Sequence, residues 1–224
     1  MIKAVIFDQD GVLVDSEPVY LGWFQEFLDD NGIVIDRKEF NTLAGCSAKM
    51  ERVLLKKWWN EAKNDNLTEE QVYTLCERYW KNSNVEKNFS YKNIKNANVE
   101  KVMSKLKDMG YMVAIASSSP IDNIKHVVSE IEIGQYVDLI ISGEMFKESK
   151  PNPEIYNHTV ERLGLKPEEC IAVEDSSYGI LAAKNAGITT IAKIDERFNF
   201  DQSPADYKIN DLIEVLDIIN KKFS

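Results

Sequence analysis

Short apolar, β-rich runs recur along the chain, at residues 4–7, 112–116, 137–141, 170–173 and 189–194. Between the later runs the apolar positions switch to helical spacing. Asn98 is placed to cap a helix carrying Val99, Val102, Met103 and Leu106, which Gly110 stops. Ser119-Pro120 opens the next, with Ile121, Ile124, Val128 and Ile131 inward. Asn152-Pro153 opens a third through Ile155, Tyr156, Val160 and Leu163 to Gly164, and a fourth runs from Ser176 to Gly187. Strands alternating with helices predict right-handed crossovers and a doubly wound parallel sheet, an α/β fold.

The rhythm breaks after the first strand. Val19-Tyr20, Trp23-Phe24 and Phe27-Leu28 form an apolar stripe at helical spacing that ends before Gly32. Ser47 is placed to cap a helix carrying Met50, Val53, Leu54 and Trp58. Thr68-Glu-Glu-Gln71 reads as a capping box ahead of Val72, Leu75, Cys76, Tyr79 and Trp80. About seventy residues of helix without a strand predict an inserted helical subdomain, with residues 81–98 as its return linker. The expected division is a core of residues 1–16 and 90–224 and a helical cap of residues 17–89. The aromatic stripes read as helical core, and His126 and His158 as surface or structural residues.

Composition narrows the function. A chain of 224 residues, 44% hydrophobic and 29% charged, is ordinary for a globular protein with a substantial core. Its formal net charge of −10 argues against nucleic acid or anionic membrane as a partner. An anionic ligand must then be held by a local site or a metal ion. Three widely spaced cysteines, Cys46, Cys76 and Cys170, fit reduced thiols in a cytoplasmic protein. No apolar window is long enough to span a membrane, and the N-terminus shows no signal-peptide pattern.

The candidate chemistry lies at the carboxyl ends of the predicted strands, where open α/β sheets bind ligands. Asp8 and Asp10 follow the first strand, Ser117-Ser118-Ser119 the second, Lys150-Pro151 the third and Glu174-Asp175 the fourth. Each has an ordinary structural reading as a turn former, helix cap or solvated turn. Their conjunction on one sheet edge does not. Carboxylates converging in a cleft repel one another unless a cation neutralises them, and all-oxygen ligation suits Mg²⁺. An Asp in such a site can act as a nucleophile and form an aspartyl-phosphate. Phosphoryl transfer then needs donors around the phosphate, which Lys150, the Ser117 hydroxyl and backbone N–H groups supply. A second carboxyl two residues on can protonate the leaving oxygen.

The segments FDQDGVLVDSEP, IASSS, SKPNPEIY and VEDSSYGI together resemble the haloacid dehalogenase-like (HAD) hydrolases. They are most similar to the branch of β-phosphoglucomutase and the small sugar-phosphate phosphatases. The resemblance implies a Rossmann-like core with an inserted helical cap. It implies Asp8 as nucleophile, Asp10 as general acid/base, and Ser117, Ser118 and Lys150 as phosphate ligands. Mg²⁺ would be held by Asp8, the Asp10 carbonyl and Asp175, with Glu174 nearby. Substrate specificity would lie in the cap, at Glu17, Gly45, Cys46, Ser47 and Lys49. Tyr20, Ala48 and Pro120 stand where β-phosphoglucomutases carry His, Arg and Lys, which favours a phosphatase over a phosphosugar mutase. A receiver domain would be about half as long and lack the insert. A silent phosphosugar sensor would have no need of the full acidic set. The expectation is a cytoplasmic, monomeric, Mg²⁺-dependent phosphatase acting on a hexose, deoxyhexose or hexitol phosphate.

Overall fold

The computed structural model describes residues 1–83 and 89–223. The chain divides into two compact units, Met1–Asp15 with Tyr91–Ser224, and Ser16–Ser90. In chain order the elements are β1 (Ala4–Phe7), α1 (Glu17–Asp30), α2 (Arg37–Phe40), α3 (Ala48–Lys63), α4 (Glu69–Ser83), α5 (Val99–Asp108), β2 (Met112–Ser117), α6 (Ile121–Glu130), β3 (Leu139–Ser142), α7 (Glu154–Leu163), β4 (Cys170–Glu174), α8 (Ser177–Asn185), β5 (Thr189–Lys193), β6 (Tyr207–Ile209) and α9 (Glu214–Lys222). Residues 84–88, within the expected linker, lie outside the described residues.

The six strands form one sheet in the order β3-β2-β1-β4-β5-β6, every neighbouring pair parallel. This is the doubly wound arrangement, and strand order reverses between β1 and β4. Alternate residues of each strand point to opposite faces. Ala4, Ile6, Ala114, Ala116, Cys170 and Ala172 pack with Ile155, Tyr156 and Val160 of α7 and Ala182 and Ala183 of α8. Val5, Phe7, Val113, Ile115, Ile171 and Val173 on the other face are equally buried, under the layer that includes α5. Both faces are buried, so ligand chemistry is expected at the carboxyl ends of the strands, where strand order reverses.

Four details depart from the sequence reading. The third strand starts at Leu139 rather than at 137, separated by two residues from a short 3₁₀ turn over Gly134–Tyr136. The edge strand β6 and the helix α9 were not expected. Asn98 stands at the N-cap of α5 in a left-handed conformation, and its amide donates to both Asp211 oxygens at 2.9 Å instead of capping. Of the apolar positions on α3, Met50 and Val53 are exposed, and Leu55, outside the expected set, shares the burial with Trp58.

The helical unit contains no strand among its described residues. Thr68 and Gln71 form the expected capping box: Gln71 N donates to Thr68 Oγ1 at 3.3 Å, and Thr68 N to Gln71 Oε1 at 2.8 Å. Its aromatic side chains do form a core. Phe27 stacks on Trp59 with centroids 5.6 Å apart, and Phe24 meets Trp80 edge-on at 5.1 Å. The two buried indoles keep partners for their N–H groups, Trp58 on Glu39 Oε1 at 2.8 Å and Trp80 on the Trp23 carbonyl at 3.2 Å. His126 is exposed beside Glu130, and His158 packs edge-on against Phe146. Among the described residues no helix is long and apolar enough to cross a membrane.

Candidate active site

Each acidic motif is set by where its strand stops. β1 ends at Phe7, and the Asp8 backbone still joins the sheet, N–H to the Val173 carbonyl at 2.9 Å. β4 ends at Glu174, which is fully buried, and Asp175 follows it. β1 and β4 are adjacent at the reversal of strand order, so Asp8, Glu174 and Asp175 meet there. One oxygen from each of the three lies within 4.8 Å of the others.

Lys150 reaches this cluster from the segment after β3. Its Nζ donates to Asp8 Oδ1 at 2.7 Å, to Glu174 Oε1 at 2.7 Å and to the Ala116 carbonyl at 3.0 Å. All three of its donors are thereby used. Burial alone would lower the Lys150 pKa, but Asp8 and Glu174 outweigh it and hold the ammonium above its ordinary value. Burial pushes the Asp8 carboxyl the other way, upward; Lys150 opposes this, and Glu174 and Asp10 add to it. One ammonium against this many carboxylates leaves the cluster short of positive charge.

Two glycines leave room for these carboxylates. Gly11 has φ of +76°, and a Cβ there would overlap Asp175 Oδ2. A Cβ on Gly179, in α8, would overlap Glu174 Oε2. That Glu174 oxygen is buried with no hydrogen-bond partner among the protein groups, while Oε1 takes Lys150 and the Tyr156 hydroxyl. An all-oxygen, over-acidic cluster with an unused buried carboxylate oxygen fits a hard divalent cation such as Mg²⁺. Accordingly Gly11→Ala should lower Mg²⁺ affinity at least ~10-fold, the size of effect seen when groups around metal ligands are disturbed. Calorimetric titration of the variant with Mg²⁺ checks this, and unchanged affinity would contradict it.

The second β strand brings the serines. Ser117 closes β2, and its Oγ accepts from Ser119 N at 3.1 Å. Ser118 follows it, half-buried, with its Cα close behind Gly143, where an added Cβ would come to 3.1 Å. Ser119 Oγ donates to Asp10 Oδ2 at 2.8 Å, and Ser142 Oγ donates to the Ser119 carbonyl at 2.7 Å. Asp10 lies in a tight turn after β1, closed by Gly11 N to the Val14 carbonyl at 2.8 Å and Leu13 N to the Gln9 carbonyl at 2.7 Å. The core unit therefore brings together Asp8, Lys150, Glu174 and Asp175 directly, and joins Asp10 to the serine loop. Ser119, Gln9 and Tyr156 lie inside the motif segments but are assigned no role in the site from the sequence. Tyr156 carried a usable signal, since a tyrosine on an otherwise apolar helix face needs a partner for its hydroxyl.

In the helical unit, Glu17 Oε1 accepts from Gly45 N at 3.0 Å, tying the start of α1 to the loop before α3. Ser47 caps α3 by accepting from Met50 N at 3.4 Å, and Lys49 is exposed on its first turn. Cys46 Sγ contacts the Thr42 carbonyl at 2.7 Å, and burial pushes its thiol up to about 12, so it is not a thiolate nucleophile at neutral pH.

The sequence matches the family model described as haloacid dehalogenase-like hydrolase over residues 5–193. The phosphorylated carbohydrates phosphatase of Thermotoga maritima is 28% identical over 192 residues, 85% of this chain and 84% of that protein. The hexitol phosphatase B of Escherichia coli K12 is 28% identical over 225 residues, 96% and 94% of the two chains. The crystal structure of β-phosphoglucomutase from Clostridium difficile superposes with a TM-score of 0.79 at 22% identity, covering 98% of each chain. The chain belongs to the haloacid dehalogenase-like hydrolase family.

Proposed function

We propose that this protein is a Mg²⁺-dependent phosphatase of small phosphorylated carbohydrates, hexose, deoxyhexose or hexitol phosphates, acting through an aspartyl-phosphate on Asp8. The observation that carries this reading is the Lys150 bridge between Asp8 and Glu174 at the reversal of strand order. It sets a buried nucleophile, a fixed cation and a carboxylate cluster around one point. The names of the relatives, a phosphorylated carbohydrates phosphatase and a hexitol phosphatase, support the substrate class.

In this reading an Asp8 carboxylate oxygen attacks phosphorus in line with the ester oxygen. The P–O bond to the sugar breaks, and the leaving oxygen keeps the bonding pair and takes a proton from Asp10. Lys150 and donors at Ser117 and Ser118 stabilise the equatorial oxygens. A water then attacks the aspartyl-phosphate while the Asp10 carboxylate takes its proton. Asp8 and inorganic phosphate are released, and Asp10 is again the acid. Asp8, Asp175, Glu174 and the Asp10 carbonyl would hold Mg²⁺, which when bound supplies the positive charge that the acidic cluster and the phosphate both require. Glu17, Gly45, Cys46, Ser47 and Lys49 are assigned to substrate choice, so changes at Ser47 or Lys49 should alter KM and substrate ranking without altering Mg²⁺ affinity.

The test is a screen of phosphorylated sugars, hexitols and nucleotides with p-nitrophenyl phosphate as reference. Hydrolysis with a preference for a carbohydrate phosphate is expected. EDTA should abolish it and added Mg²⁺ should restore it. Turnover indifferent to EDTA, or a preference for nucleotides over every carbohydrate phosphate, would overturn the proposal.

A further inference from the structure

Gln9 lies between the two aspartates, two residues beyond the end of β1, and is fully buried. Its Nε2 spends both hydrogens on side chains, donating to Asp10 Oδ2 at 3.3 Å and to Asn123 Oδ1 at 3.1 Å. Asn123, on α6, in turn donates from Nδ2 to the Tyr91 hydroxyl at 2.9 Å. Tyr91 is buried and packs edge-on against His126 with centroids 5.7 Å apart. The other end of the Gln9 amide, Oε1, is buried with no hydrogen-bond partner among the protein groups. Buried polar groups are nearly always satisfied, so this site carries a cost that an apolar residue would not. A side chain kept at a cost to stability, with one donor on the carboxyl assigned as the acid, points to function.

We infer that Gln9 is a positioning residue: with Asn123 and Tyr91 behind it, it fixes the orientation of the Asp10 carboxyl for proton delivery to the leaving oxygen. The inference rests on the reading of Asp10 as general acid. Two donors converge on one oxygen, Asp10 Oδ2: Gln9 Nε2 from the β1 side and Ser119 Oγ from the β2 side. With Oδ2 engaged as an acceptor from both sides, rotation of the carboxyl is opposed. The proton passes from Asp10 to the ester oxygen as the P–O bond breaks and its electron pair stays on that oxygen. An apolar side chain at position 9 would remove one of the two restraints and detach Asn123 from the acid.

The experiment compares Gln9→Leu, Asp10→Asn, the double variant and Asn123→Ala on the preferred carbohydrate phosphate and on p-nitrophenyl phosphate. A poorly placed acid slows a reaction that needs it, and misplacement can cost up to ~10²-fold. Gln9→Leu should lower kcat on the carbohydrate phosphate by roughly 10–10²-fold while p-nitrophenyl phosphate, whose leaving group is a stable anion, loses less than about 3-fold. KM should hold, and the melting temperature should stay the same or rise. Asn123→Ala should shift the two substrates in the same sense by a smaller factor and gives the answer should Gln9→Leu fail to fold. In the double variant, Gln9→Leu should add nothing to the loss from Asp10→Asn, because the group it positions is gone. Equal losses on both substrates, no loss on either, or additive losses in the double variant would overturn the inference while leaving Asp10 as the acid. Absence of leaving-group dependence in Asp10→Asn would instead overturn the acid assignment, and the inference with it.

Discussion

Asp8→Asn should lower kcat on every phosphomonoester by on the order of 10⁴–10⁶-fold, the loss typical of deleting a covalent nucleophile. The amide nearly matches the carboxylate in shape, so the loss is chemical. It has no anionic oxygen to attack phosphorus, and it removes one of the three carboxylates whose oxygens cluster within 4.8 Å. The same change should not unfold the protein. Lys150 keeps Glu174 at 2.7 Å and the Ala116 carbonyl at 3.0 Å, so its charge stays paired. Removing a buried carboxylate also relieves its repulsion with Glu174 and Asp10, which acts on Asp8 in the same direction as burial. Without metal the melting temperature should therefore hold or rise. Steady-state kinetics and a thermal melt on one preparation check both halves. Retention of more than about a tenth of the activity, far outside the loss expected for a nucleophile, would remove Asp8 from that role.

Asp10→Asn should separate substrates instead of silencing the enzyme uniformly. A sugar alkoxide is a poor leaving group, and its protonation by a placed acid is typically worth ~10²–10⁴-fold. The p-nitrophenolate anion leaves without that help. Carbohydrate phosphates should therefore lose about 10²–10⁴-fold and p-nitrophenyl phosphate far less. The geometry supports this division of labour. Asp8 is bound by Lys150 and belongs to the carboxylate cluster, whereas Asp10 is bound by Ser119 and Gln9. Two neighbouring carboxyls in different surroundings take different roles. Equal losses on both substrates would contradict the assignment.

The pattern of the chain made the sheet legible because its strands are short, apolar and covered on both sides. Ala4–Phe7 and Cys170–Glu174 are buried at every position, and such runs can hardly be read as anything but central strands. What ends those strands was equally legible, since a carboxylate at the end of a buried central strand needs a reason. The edge strand Tyr207–Ile209 has only three residues and partial exposure, too little pattern to detect. Asn98 misled as a helix cap because its partner, Asp211, is 113 residues away and local reasoning offers it the backbone instead. The same limit hid the second layer of the site. Gln9 reaches Asn123 across 114 residues, and Tyr156 finds Glu174 on a different strand–helix unit. Lys150 was placed near phosphate by its position after the third strand, but its bridge between Asp8 and Glu174 required the register that sets β1 beside β4. Motifs announce the groups that react, while the groups that hold them are fixed by tertiary pairing.

If the phosphoryl group passes through Asp8, the covalent adduct can be trapped. The enzyme is mixed with its preferred carbohydrate phosphate and Mg²⁺, quenched rapidly and treated with borohydride, which reduces an acyl phosphate of aspartate to homoserine. Peptide mass spectrometry then locates the reduced residue. Homoserine at position 8, in amounts that depend on substrate and vanish in Asp8→Asn, is the result expected. Rapid turnover with no reduced residue, or with the label on any other carboxylate, would contradict it.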